Sequence, residues 1–175
     1  KSYIKAGFGN HVTPLGEISI TNERSKKGAV GFYGRHFSTN GNISLQNHDK
    51  VFAGFMDNDA GLFGRKFFRK NVLDASLDFS QKTRHAYGYD TSIVDYDLTR
   101  KMTRLGYNNL GARVGLASTI MDSSTLTYDF SLAYNYFYNS RDRFQHKFSI
   151  EGLGAKNYKD FYVGSGLFFD YFKQS

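Results

Sequence analysis

A chain of 175 residues has room for one domain of ordinary size and can bury a core without disulfides or metals; it has no cysteine. Its 13 Tyr, 17 Phe and 18 Gly against one Pro and no Trp are unlike a helical enzyme and suit long strands, where aromatics pack on a pleated surface and Pro would delete ladder hydrogen bonds. The net charge of +7 comes from scattered Lys and Arg, with Lys26-Lys27 and Arg69-Lys70 at expected turns, so no concentrated basic patch points to nucleic acid; no apolar run approaches the roughly 20 residues of a membrane helix.

In chain order, short alternating patterns predict strands over residues 3–9, 16–22, 29–38 and 61–70. Residues 72–81 set Leu73, Ala75, Leu77 and Phe79 against Asp74, Ser76, Asp78 and Ser80. Residues 110–118 set Leu110, Ala112, Val114 and Leu116 against Gly111, Arg113 and Gly115. The longest pattern is 125–140, with Leu126, Tyr128, Phe130, Leu132, Tyr134, Tyr136 and Tyr138 on one face. Thr127, Asp129, Ser131, Ala133 and Asn135 take the other, and Phe137 breaks the rule. Over 144–153, Phe144, His146, Phe148 and Ile150 oppose Gln145, Lys147, Ser149 and Glu151. Finally, 160–172 puts Phe161, Val163, Leu167, Phe169 and Tyr171 on one face. No amphipathic helix competes with these segments. The fold class is therefore all-β, an antiparallel meander of about eight to ten strands. It forms a single β-barrel domain or barrel segment over residues 1–175.

Several of these strands exceed the five or six residues usual in globular proteins and match the roughly 9–11 that a tilted strand needs to cross a bilayer. A negative mean hydropathy is compatible with crossing, because a membrane strand shows lipid only every second side chain. Long polar connections, 39–59 and 82–104, follow the third and fifth strands, and short turns are expected at 24–28, 70–71, 119–124 and 155–159. Alternate connections of a meander share an end, so both long loops fall at one end and these short turns at the other. Membrane barrels show the same asymmetry, with the long loops outside the cell.

About nine strands is an odd count, whereas single-chain bacterial barrels use even numbers. The chain also runs past Phe172 with Lys-Gln-Ser instead of ending on an aromatic. Both features favour a slice of a larger outer-membrane barrel, with the remainder of that barrel missing. Lys1-Ser2-Tyr3-Ile4 leads straight into a strand pattern without a secretory signal, as expected of a mature product or an internal piece.

Alternation does not say which face looks outward. A soluble barrel or sandwich of lipocalin or streptavidin type would turn the pattern inside out and bind an apolar ligand within. Eight or nine strands enclose little space, and inward Phe and Tyr rings would crowd it; facing lipid they meet no such limit. The favoured reading is a barrel in the cell outer membrane with outer-membrane lipid around it. Asp74, Asp78, Lys147 and Glu151 would then line a polar lumen. A purely structural outer-membrane barrel is a third reading.

The stretch Tyr3-Ile4-Lys5-Ala6-Gly7-Phe8-Gly9-Asn10, followed by Thr13-Pro14-Leu15-Gly16-Glu17, resembles a strand–turn–strand of certain outer-membrane proteins. So does Tyr33-Gly34-Arg35-His36-Phe37-Ser38-Thr39-Asn40-Gly41. Both are similar to Gram-negative, Bacteroidetes-type barrels related to TonB-dependent receptors, described as serving nutrient binding or uptake. The resemblance covers the first 40 or so residues. It implies a many-stranded parent and transport of a small nutrient ligand, and it ties no functional residue to these motifs.

No catalytic machinery is expected. His11, His36, His48, His85 and His146 lack metal-ligand spacing, and His146 shares the apolar face with Phe144 and Phe148, as a packed or interfacial histidine would. No nucleophile elbow accompanies the serines. Asp74 and Asp78 read as a solvated face more readily than as a carboxylate dyad. Gly152-Leu153-Gly154 and Gly164-Ser165-Gly166 lack the Lys-Ser/Thr and helix of a phosphate loop, and read as strand glycines. No cofactor and no metal are expected. The ligand-binding candidates are the loop aromatics Phe52, Phe55, Tyr87, Tyr89 and Tyr96 beside Asp57, Asp90 and Asp95, a combination that grips sugars or peptides; packing on the barrel rim is the plainer account.

Overall fold

The structure, a computed structural model, describes residues 2–22, 25–45, 48–87, 99–119, 126–158 and 161–175. Nine strands make one antiparallel meander: β1 (Tyr3–Gly9), β2 (Thr13–Asn22), β3 (Gly28–Thr39), β6 (Phe55–Phe67), β7 (Asn71–His85), β8 (Arg104–Ser118), β9 (Thr127–Asn139), β10 (Phe144–Tyr158) and β11 (Phe161–Gln174). The sheet does not close on itself; β1 and β11 are its edges. A hairpin of β4 (Asn42–Ser44) and β5 (Lys50–Phe52) lies between β3 and β6, and a single helical turn, α1 (Arg100–Thr103), precedes β8. The β3–β6 and β7–β8 connections emerge at the same end of the sheet, as the alternation of connections requires; this is the loop end.

The strands run further into the loop end than alternation indicated. β6 begins at Phe55, β7 extends to His85, and β8 begins at Arg104. Here polar residues occupy both faces (Asn58, Gln81, Asn108 and Asn109), so the period-two signal fades while the ladder continues. The β1–β2 turn carries His11 and Val12 at φ 59° and 52°, a left-handed conformation unusual for a β-branched residue. The turn is held by the Asn40 N–H, which donates to the His11 carbonyl at 3.1 Å.

Cross-strand register sorts every sheet residue onto one of two faces. The apolar face carries Ile18, Ile20, Val30, Phe32, Leu62, Leu73, Leu77, Phe79, Leu110, Val114, Phe130, Leu132, Phe148, Ile150 and Phe169. The polar face carries Glu17, Arg35, Asp59, Asp74, Asp78, Ser80, Arg113, Asn135, Lys147, Glu151 and Asp170.

The apolar face is the more exposed one. Val30 is 67% exposed, Leu62 58% and Leu77 52%. By contrast, Gly31, Gly61, Gly115 and Ser131 are buried on the polar face. Glycines report the same asymmetry. A Cβ added at Gly61, on the polar face, would stand 2.4 Å from the Tyr33 ring and 2.8 Å from Asp78; at Gly115 it would stand 2.9 Å from Asp74. At Gly16 and Gly64, on the apolar face, it would meet nothing within 4 Å. Side chains converge on the concave side of a curved sheet and diverge on the convex side, so the polar face is the inner one.

Among the described residues Val51 is the one buried apolar side chain, and the chain exposes 12973 Å². A compact monomer of 19.9 kDa would expose about 8,700 Å². The sheet is a single layer without an apolar interior.

The apolar stretches of the two edge strands sit at different positions along the sheet. On β1 the stretch comprises Ile4, Ala6 and Phe8, centred on Ala6; on β11 it comprises Val163, Leu167, Phe169 and Tyr171, centred on Leu167. The row through Ala6 passes Gly16, His36, Asn58, Gln81, Asn108, Tyr138 and Phe144 and meets Ser175, the residue after β11. Leu167 lies eight residues from that row (175 − 167), about 26 Å of strand, over eight interstrand spacings of about 38 Å in all. The apolar stretches of the two edge strands are thus offset along a line about 35° from the perpendicular of the strands, whereas those of β2 (Ile18 and Ile20) and β10 (Phe144 to Ile150) lie equally far from the same row.

Candidate functional site

On the polar face, the strand spacing places complementary groups opposite one another. The Tyr33 hydroxyl donates to Asp78 Oδ1 at 2.9 Å, and the Ser80 hydroxyl to Asp59 Oδ1 at 2.7 Å. Glu17 pairs with Arg35 at 3.3 Å and Lys5 at 3.6 Å, and Lys147 pairs with Asp170 at 3.2 Å. Asp74 and Asp78 therefore belong to a charged and hydroxylated surface and form no dyad with each other. Between β7, β8, β9 and β10 this surface dips into a groove of about 340 Å³ lined by Ser76, Asp78, Arg113, Asn135 and Lys147.

The apolar face carries its polar groups at the margins of the band. Tyr128 donates to Asn71 Oδ1 at 2.6 Å near the short-turn end. Towards the loop end, His146 Nδ1 meets the Tyr134 hydroxyl at 2.7 Å, its ring 4.9 Å from that of Tyr136 and 5.7 Å from that of Phe144. His146 is thus a packed histidine in an aromatic cluster. One row further out, Asn58 links His36, at 2.6 Å, to Gln81, at 3.0 Å.

At the loop end the β4–β5 hairpin folds back on the apolar-face side. His85 Nδ1 meets the Gly54 carbonyl at 2.8 Å, and the Phe52 ring packs edge-on to His85 at 4.6 Å. The Arg100 guanidinium of α1 stacks 4.0 Å from the Phe52 ring centroid. These contacts border an open cleft of about 560 Å³ among Pro14, Ser38, Phe52, Met56, Thr83, His85, Arg100, Lys101 and Arg104. A second cleft of about 570 Å³ shares Thr83, Lys101 and Arg104, and adds Gln81, Asn108, Tyr138 and Arg141.

The five aromatic candidates part company here. Phe52 closes the hairpin and is committed to Arg100 and His85. Phe55 is not a loop residue but the first of β6, on the polar-face side of the rim, where it packs on Phe37 at 5.2 Å beneath the Arg84 guanidinium at 5.2 Å. Both border the first cleft, yet their rings engage opposite faces. Tyr87 is 59% exposed, while Tyr89 and Tyr96 lie outside the described residues, with Asp90 and Asp95.

At Phe52 and Phe55 the expected partnership of aromatics with carboxylates is replaced by one with guanidinium groups. Asp57, also in β6, is occupied by Arg84 in a bidentate pair whose Nη2–Oδ2 arm is 3.0 Å. Sequence reading missed Thr83, His85, Arg100, Lys101, Arg104 and Arg141 as lining residues. The available signal was three cations within residues 100–104; Arg141 joins them only through the pairing of β8 with β9.

Among the described residues, no group of three or more His, Asp or Glu side chains is placed to hold a metal. In comparisons with known proteins, no family model matches this chain, and neither a curated protein nor a solved structure does.

Proposed function

We propose that this chain forms part of the wall of an outer-membrane β-barrel, with its apolar face against lipid, its polar face lining a water-filled lumen and its loop end outside the cell. The observation that carries the reading is the inversion of the sheet. The apolar side chains occupy the open, divergent face, and the charged ones the crowded, convergent face. In water, exposing that many Leu, Val and Phe side chains is unfavourable by about 1.5–3 kcal/mol for each that could be buried instead. In lipid the same arrangement is the favourable one.

The open edges β1 and β11 each leave a row of backbone donors and acceptors unpaired in the sheet, which in a bilayer must be met by neighbouring strands. The wall is therefore completed by further strands of a larger barrel. Nutrient binding and uptake, implied by the resemblance of the first 40 or so residues to TonB-dependent receptor-like barrels, is the role we assign to that barrel. The polar groove along β7–β10 suits hydrophilic solutes.

The chain has no cysteine, so single substitutions give clean labels. Leu77→Cys and Ser76→Cys, adjacent on β7 and on opposite faces, are reconstituted in phosphatidylcholine vesicles and treated with a water-soluble maleimide. Protection at 77 with reaction at 76 is expected. Equal reaction at both positions, or protection at 76 alone, would refute lipid contact by the apolar face.

A further inference from the structure

The two loop-end clefts share a floor that has no use in a bare barrel rim. Thr83 is 5% exposed, and its Oγ1 has no hydrogen-bond partner although it borders both clefts. Buried hydroxyls are nearly always paired; this oxygen is shielded from solvent as it stands, and a turn about the Thr83 Cα–Cβ bond would present it to a polar ligand atom in the clefts. Around it stand Arg100, Lys101, Arg104 and Arg141, and no carboxylate lines either cleft among the described residues. No ion pair engages these four cations among the described residues. The chemistry called for is an anionic group beside neutral hydroxyls, which Gln81, Asn108 and Ser38 are suited to receive.

Position narrows the source. Thr83 and Arg104 project from the same face as Phe79 and Leu110, so the clefts open on the flank of the wall and not into the polar groove. Along β7, Thr83 lies four residues beyond Phe79, and along β8, Arg104 lies six residues beyond Leu110, which at the tilt of barrel strands is about 11 Å and 16 Å of height. A phospholipid phosphate sits at the edge of the hydrocarbon and falls short of this height. A headgroup extended by sugars reaches it while its acyl chains lie on the Phe79 and Leu110 rows below.

We propose that the loop end binds the phosphorylated or carboxylated sugar headgroup of a membrane glycolipid, with Lys101 and Arg104 as the shared anion contacts and Thr83 at the floor. This rests on the reading that the apolar face meets lipid. Anchoring a lipid here would order the hairpin and α1 above the membrane surface.

The full chain in detergent micelles is titrated with three probes: rough lipopolysaccharide bearing phosphorylated core sugars, phosphatidylglycerol, and free glucose 6-phosphate. Saturable binding of the first is expected. It should weaken at least about tenfold in the double variant Lys101→Glu/Arg104→Glu, the equivalent of one charge-assisted hydrogen bond. It should weaken several-fold in Thr83→Val and persist in Lys101→Arg/Arg104→Lys, whose charges are kept. Phosphatidylglycerol binding should not distinguish these proteins. Unchanged lipopolysaccharide affinity in the charge-reversed chain, with native circular dichroism, would overturn the inference. Glucose 6-phosphate binding as tightly as the glycolipid would overturn it in favour of a dissolved anion. The maleimide result at Leu77 and Ser76 separates the two proposals. Protection at 77 without glycolipid binding defeats the headgroup site alone, and loss of protection defeats the membrane reading beneath it.

Discussion

Leu77→Arg asks the sharpest question of this sheet. Leu77 is central in the apolar stretch of β7, flanked by Leu62 on β6 and Ala112 on β8, and is 52% exposed. If the face meets water, substitution forfeits only the half of the side chain that is in contact with neighbours, a loss of about 1 kcal/mol. The arginine head would then be freely solvated. If the face meets lipid, a guanidinium near the bilayer midplane costs about 2–4 kcal/mol. The control is Ser80→Lys, on the opposite face of the same strand, whose ammonium would stand across from Asp59 on β6. A partly exposed pair of this kind changes stability by less than about 1 kcal/mol. Urea unfolding from phosphatidylcholine vesicles, followed by far-ultraviolet circular dichroism, measures both. Destabilisation by Leu77→Arg at least about twice that by Ser80→Lys is expected. Equal effects within about 0.5 kcal/mol would refute the assignment of faces.

Glycine positions give a second test. Gly61→Ala should cost about 1–3 kcal/mol in the same unfolding assay, because its methyl collides with Tyr33 and Asp78 and breaks their hydrogen bond, whereas Gly64→Ala, with open space around it, should be neutral or stabilising by up to about 1 kcal/mol. Phe52→Ala removes the ring on which Arg100 stacks and against which His85 packs; hydrogen exchange should quicken through β4 and β5 while the centre of β7 keeps its protection. Val12→Gly should raise stability by about 1 kcal/mol, since a 56% exposed valine held at φ 52° gives up little contact and is relieved of left-handed strain. A fall in the unfolding midpoint would show that the turn depends on the Val12 side chain.

Legibility in the sequence followed the range of the interactions. Along β9, strict alternation from Tyr128 to Tyr136 identifies a two-faced strand, because a period of two is a property of neighbouring residues. The same local signal yields the polar and apolar rows of β7 and β10, and the order of long and short connections places both long loops at one end without reference to any contact. It failed at Phe55 and Asp57, where polar residues on both faces hide a ladder that continues, and at β4 and β5, three residues each, which are too short to show a period.

What alternation left open is which face of the sheet is crowded and which is open, and only the tertiary structure decided it. Curvature arises from pairing among all nine strands, and its mark is the crowding at Gly61 and Gly115 against the open space at Gly16 and Gly64. The offset between the apolar stretches of the two edge strands likewise requires the register that relates Ala6 to Ser175, residues at opposite ends of the chain. The loop-end clefts depend on the same long-range pairing, which carries Arg141 to Lys101 and Arg104 and leaves Thr83 unpartnered beneath them. Period two belongs to the strand, whereas register and curvature belong to the sheet, and a single strand cannot encode them.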